Sequence, residues 1–278
     1  TNIKGKCYLQ KRGVKRAFIE GQSFSGDKLI DGAVIPSSNY IPNINPDLIN
    51  RLLSVKENYL KTDSLFEMSE GIIKEQSFLE NHLLSYSTGL MKIEGVKLSG
   101  NIVLFSDKEI HVEANSLLED ILIIAPKVII KENFVGNIQI VAFDSLVLEN
   151  KVTLKYPSSL ICLNNAKTKT TLSVGENCDI SGVIIAYNNQ SDRFNFPTIS
   201  IQKESIVKGL IYNSGYTDFK GSLYGSLFTN YLILKTPSST YTNHFLNVEI
   251  NPFKLPKDFL SPSALEENTK KEVVKWLN

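Results

Sequence analysis

Ile102-Val103-Leu104-Phe105, Ile121-Leu122-Ile123-Ile124 and Ile138-Gln139-Ile140-Val141 are three short apolar runs in succession. Leu160-Ile161-Cys162-Leu163, Val183-Ile184-Ile185-Ala186, Leu210-Ile211-Tyr212 and Leu227-Phe228 continue the series, with starts 19, 17, 22, 23, 27 and 17 residues apart. A mean interval of about 21 residues matches one coil of a β-solenoid. Each interval holds a second, alternating strand: Ile110/Val112, Val128/Ile130, Leu146/Leu148, Leu172/Val174 and Ile199/Ile201. Period two places each pair on one face.

The bends repeat as well. Leu118-Glu119-Asp120, Val135-Gly136-Asn137, Ile180-Ser181-Gly182, Val207-Lys208-Gly209 and Leu223-Tyr224-Gly225 each end in a residue that tolerates the positive φ of a sharp corner. Two-residue hairpin turns of the Asn-Gly type are missing between the runs, which argues against a sandwich. The uneven coil lengths argue against a strict hexapeptide helix. The chain therefore reads as all-β dominated: a parallel, right-handed β-helix with irregular coils of about 20 residues, whose main body covers 95–234.

Outward from that body the pattern changes. Residues 1–44 show the same grammar in Ile3-Lys4-Gly5, Cys7-Tyr8-Leu9 and Ala17-Phe18-Ile19, and read as incomplete N-terminal coils. A coil needs a neighbour to bury its apolar face, so further solenoid residues or a partner are expected beyond Ile3. Residues 45–94 read as a helical insertion and return segment: Asn45-Pro46-Asp47 is an N-cap, and Leu48, Leu52, Val55 and Tyr59 form one helical face. A second helix is predicted within 64–84. Residues 235–278 read as an irregular, proline-punctuated tail ending in a capping helix, with Ser263-Ala264-Leu265-Glu266 as its capping box and Trp276 and Leu277 near its end.

Composition narrows the function. Of 278 residues 42% are hydrophobic, enough for a sizeable core, and 30 basic against 29 acidic residues leave a net charge of +1. No broad basic face points to nucleic acid. The longest apolar stretch, Ile121 to Ala125, is strand-sized, so membrane attachment is expected only through a segment outside this chain. Cys7, Cys162 and Cys178 are too few for a disulfide framework and read as small buried hydrophobes. His82, His111 and His244 lie in separate contexts, and His111 points away from the apolar face between Ile110 and Val112. No metal, phosphate-loop, dinucleotide or nucleophile-elbow motif occurs, and no cofactor is expected.

Glycoside chemistry would need two carboxylates on neighbouring coils, and Asp120, Asp144, Asp179, Asp192 and Asp218 come nearest. Asp120 and Asp179 occupy corners, where Asp serves as a turn former. The longest coil carries the loop 187–196, whose Tyr187, Asn189, Asp192, Arg193, Phe194 and Phe196 are the candidate ligand contacts, because binding residues gather on loops held by a rigid scaffold. Tyr212, Tyr216, Phe219, Tyr224 and Phe228 cluster late in the array as core, with an exposed sugar or peptide platform as the alternative.

Val96-Lys97-Leu98-Ser99-Gly100-Asn101-Ile102, Val207-Lys208-Gly209-Leu210-Ile211-Tyr212 and Phe219-Lys220-Gly221-Ser222-Leu223 resemble two bacterial groups: the bactofilins, and the β-helical proteins of the cell envelope and surface. Bactofilins have more even coils and little besides the solenoid, so the envelope group is the closer resemblance. That resemblance implies a non-catalytic envelope or surface scaffold for adhesion or assembly, located in the periplasm or at the surface. Its partner would be an envelope protein or a glycan. Apart from the resemblance, Lys4, Lys6, Lys11, Arg12, Lys15 and Arg16 around the first coil, Ile3 to Phe24, oppose self-association through that end, so a monomer or small oligomer is expected. A carbohydrate-active β-helix enzyme and a cytoplasmic bactofilin-like polymer are the alternatives.

Overall fold

The computed structural model describes residues 1–10, 13–38, 40–164, 168–190, 194–260 and 264–265. It is mostly β, and its strands are stacked in parallel, an arrangement compatible with a β-helix. Each turn of the chain lays down three runs, and each run pairs with its equivalent one turn later.

On the first face Leu98, Leu118, Leu154, Ile180, Val207 and Leu223 point inward, with Leu98 opposite Leu118 and Ile180 opposite Val207. On the second face the inward column is Leu104, Ile123, Ile140, Leu160, Ile184, Ile211 and Leu227. On the third it is Ile93, Val112, Ile130, Leu148, Val174, Ile201 and Phe219. The three columns meet in one core whose members from Ile93 to Leu223 are almost all fully buried. Burial of each such side chain contributes about 1.5–3 kcal/mol.

The register corrects one ladder that the spacing suggests. Ile102, Ile121 and Ile138 do lie inside. Leu160, however, stands beside Ile140, because three residues separate Leu154 from Ser158 where only one separates their partners Ile180 and Gly182. Val183 and Leu210 face outward, into a second apolar cluster with Ile161, Ile185 and Tyr212. The second-face runs are apolar on both sides, so period-two reasoning has no polar side to orient them.

That outer stripe explains the helices. Helix α1 (Pro46–Leu53) and helix α2 (Val55–Tyr59) lie along it as a strap. Asn45 Oδ1 caps α1 by accepting from the Asp47 amide at 2.9 Å. Ile49, Leu48 and Leu52 pack on Ile161, Val183 and Leu210. Val55 and Tyr59 pack on Val103, Phe105 and Ile124 farther along. Tyr212 donates its hydroxyl to the Pro42 carbonyl at 3.0 Å, and burial pushes its pKa up to about 12. Lys56 fastens α2 through an ion pair of 2.8 Å to Asp107, which also accepts from Tyr86.

Three further expectations need correction. The second helix over 64–84 does not form: Ile73–Gln76 and Leu83–Ser87 are strands paired to Lys97–Gly100 and Ile102–Ser106, and Gly71 at φ 76° separates them from what precedes. The stack accordingly begins before residue 95. Residues 1–44 do not build coils ahead of it. Asn2 and Ile3 pair in parallel with Glu249 and Ile250, which in turn pair with Ser222 and Leu223, so the amino-terminal segment closes the far end. Cys7–Leu9 and Val34–Pro36 add one more parallel pair there. The expected final helix, 263–277, falls almost wholly outside the described residues. Ala264 and Leu265 meet the strap, where the Asn45 amide donates to Ala264 O at 3.0 Å.

Candidate functional site

The loop 187–196 springs from the second face and returns to the third, and its candidates part company. Tyr187 lies outward on the second face, packed beside the strap cluster. Asn189 is exposed in the turn that follows. Asp192 and Arg193 lie outside the described residues. Phe194 is 78% exposed, whereas Phe196 folds onto the third face.

There Phe196 meets Tyr216, with ring centroids 5.5 Å apart and planes at 76°, and Tyr231, at 5.3 Å and 42°. Tyr216 and Tyr231 are register partners on adjacent rungs, 5.1 Å apart. Such tilted and edge-on pairings are favourable for aromatic quadrupoles. The other aromatics of the expected cluster disperse: Phe219 is in the core, Tyr212 and Phe228 face the strap, and Tyr224 lies under the Lys254 ammonium at 4.8 Å. Tyr231 was missed by sequence reasoning. The signal for it is its place behind Gly225, which matches that of Tyr216 behind Gly209 once the register shift between Asn213 and Tyr216 is allowed for.

The charged groups are arranged differently. Lys131 pairs with Glu149 at 2.9 Å, Lys151 with Glu132 at 2.9 Å, Lys203 with Glu176 at 3.6 Å and Lys208 with Asp179 at 2.8 Å, each linking neighbouring rungs. The Lys131 bond, aided by the Glu132 amide, holds Glu149 below the usual carboxylate range against the opposing effect of burial. A shallow hollow of about 320 Å³ lies between Glu132, Glu149, Ser173 and Gln202.

The acids considered for glycoside chemistry do not converge. Asp120 sits at a corner with φ 59° and accepts from Asn137 Nδ2 at 2.7 Å. Asp179 belongs to the first face, Asp144 follows the second, and Asp218 is buried on the third with Lys220 at 3.2 Å. His111 faces outward as expected and contacts Glu109 at 2.6 Å. Among the described residues no three His, Cys, Asp or Glu side chains group as metal ligands. Burial raises the pKa of all three cysteines, that of Cys162 to about 12. No helix among the described residues is long and apolar enough to cross a membrane.

Compared with models of protein families, with curated proteins and with solved structures, the chain finds no match in any of the three.

Proposed function

We propose that this chain is a right-handed parallel β-helix acting as a non-catalytic scaffold of a bacterial envelope or surface, in adhesion or assembly. The hand follows the general preference of parallel crossovers. One observation carries the reading: Glu132, Glu149, Glu176 and Asp179 are engaged in inter-rung lysine pairs, while Asp120, Asp144 and Asp218 stand on different faces or corners. Carboxylates so arranged hold a rod together. A glycosidase needs two of them roughly 5 to 9.5 Å apart across one bond.

Two measurements test this reading. Fractionation of the producing cells, followed with an antibody to the chain, should place it with envelope material; recovery in a cytoplasmic filament fraction would favour the bactofilin-like alternative. Incubation with a panel of polysaccharides should release no new reducing ends or unsaturated products. Sustained release, abolished by substituting one of the named acids, would make the protein an enzyme.

A further inference from the structure

The third face carries a strip unlike the rest of the surface. Past Glu109 and Lys127, its first outward column runs Ser145, Thr171, Thr198, Tyr216, Tyr231, one residue per rung, and this part carries no charge. Ser173 and Ser200 continue the hydroxyls in the neighbouring column, up to the buried, lysine-paired Asp218. By contrast, the turn leaving this face and the first face bear the Lys–Glu and Lys–Asp pairs.

The strip also has free hydrogen-bonding capacity. Among the described residues the hydroxyls of Thr171, Ser173, Thr198, Tyr216 and Tyr231 make no hydrogen bond, whereas those of Tyr86, Tyr156 and Tyr212 do. Tyr231 is 43% exposed although it packs on Tyr216 and Phe196, so part of its ring is available.

We propose that this strip binds a neutral glycan chain lying along the stack axis, with a sugar ring on Tyr231 and Tyr216 and its hydroxyls bonded to Thr198, Thr171 and Ser173. The chemistry selects this ligand class. A pyranose has an apolar face of C–H groups, which suits the negative face of an aromatic ring, and a rim of hydroxyls, which suits Ser and Thr. From Thr171 to Tyr231, the part that would hold the sugar, the column has no charged side chain to select an acidic or basic chain. Rungs 4.7–4.9 Å apart repeat the hydroxyls along one line, which suits a repeating ligand more than a single small molecule. The hollow beside Ser173, whose Glu132 and Glu149 carboxylates are paired to Lys151 and Lys131, gives a substituent room. The proposal deepens the scaffold reading and rests on it for the expectation that the glycan is held intact.

Titration calorimetry of the whole chain with cello- and chito-hexaose, with chromatography of the recovered sugar, tests it. At least one of these probes should bind. Tyr231→Ala should weaken binding about tenfold or more, Tyr231→Phe much less, since the ring remains. Tyr40→Ala, at an exposed tyrosine outside the strip, should change nothing. Circular dichroism of each variant keeps loss of binding separate from loss of fold. Failure of both sugars to bind, or equal binding by Tyr231→Ala, would overturn the site. Binding followed by shortened sugar would leave the site standing and overturn the scaffold reading instead.

Discussion

Ile3 and Ile250 are partners in a parallel ladder, although 247 positions separate them. The segment before the strap thus closes one end of the stack, and the strap carries the chain back to begin the other end near Ile73. The charges separate accordingly. Residues 1–31 hold the basic Lys4, Lys6, Lys15, Arg16 and Lys28 against three acids among the described residues, whereas 61–80 hold five acids against Lys61 and Lys74.

Opposite ends of opposite sign attract, so the expectation that like charges around residues 3–24 oppose self-association does not hold for a stack whose other end is acidic. Short edge strands, and Pro36 in the outermost one, limit how far pairing can extend. Light scattering should show small oligomers at low ionic strength that dissociate as salt screens the ends. Regular filaments at both low and high salt would promote the bactofilin-like alternative.

Ile138 is fully buried opposite Ile121. Ile138→Asp strands a carboxylate among apolar neighbours and should cost roughly 4 kcal/mol or more. Urea unfolding measures it; an unchanged midpoint would mean the register is wrong.

Gly209 stacks between Gly182 and Gly225 at one corner, with φ 136°, and a Cβ there would lie 1.9 Å from Gly182 O. Backbone cannot retreat as a side-chain tip can, so Gly209→Ala should destabilise by about 3 kcal/mol or more. Gly89→Ala, where the added carbon meets nothing within 4 Å, should stay within about 0.5 kcal/mol of the parent. Similar melting of both variants would remove the corner argument.

Asp107, Glu149 and Glu249 have lowered pKa values, each chiefly through a lysine bond: Lys56, Lys131 and Lys254 respectively. A depressed carboxylate contributes stability that is present above its unfolded value, 3.8 for Asp and 4.5 for Glu here, and lost as pH falls through the folded value. Thermal unfolding should therefore be nearly constant from neutral pH to about 5 and decline below that. Glu149→Gln should flatten the decline; an unaltered acid limb would show that the Lys131 pair contributes nothing.

The apolar rhythm from Ile102 to Phe228 was legible because it depends on local alternation: each rung must supply inward side chains, so each carries the pattern in its own few residues. The corner glycines and Asp120 were legible for the same reason, since positive φ restricts residue type on the spot. A second series of corners, at Asn133, Lys151, Asn177 and Glu204, escaped notice, because Lys and Glu at positive φ give no compositional signal. Part of the aromatic site was visible, in Phe196 and Tyr216. Tyr231 joins them only through the register of adjacent rungs.

By itself, then, the sequence determined a stacked β architecture, its approximate period, and α1 with its Asn45 cap. Tertiary structure decided which side of each second-face run is inside, because Val183 and Ile184 are equally apolar and only the strap, packing on one of them, distinguishes outside from core. It also decided that 73–76 and 83–87 are strands, since an edge rung offers those residues a ladder that local propensity cannot foresee. And it decided where the chain begins in space: two residues beside Ile250 carry no local mark of that position, which exists only because the end of the stack leaves a row of backbone groups to be paired.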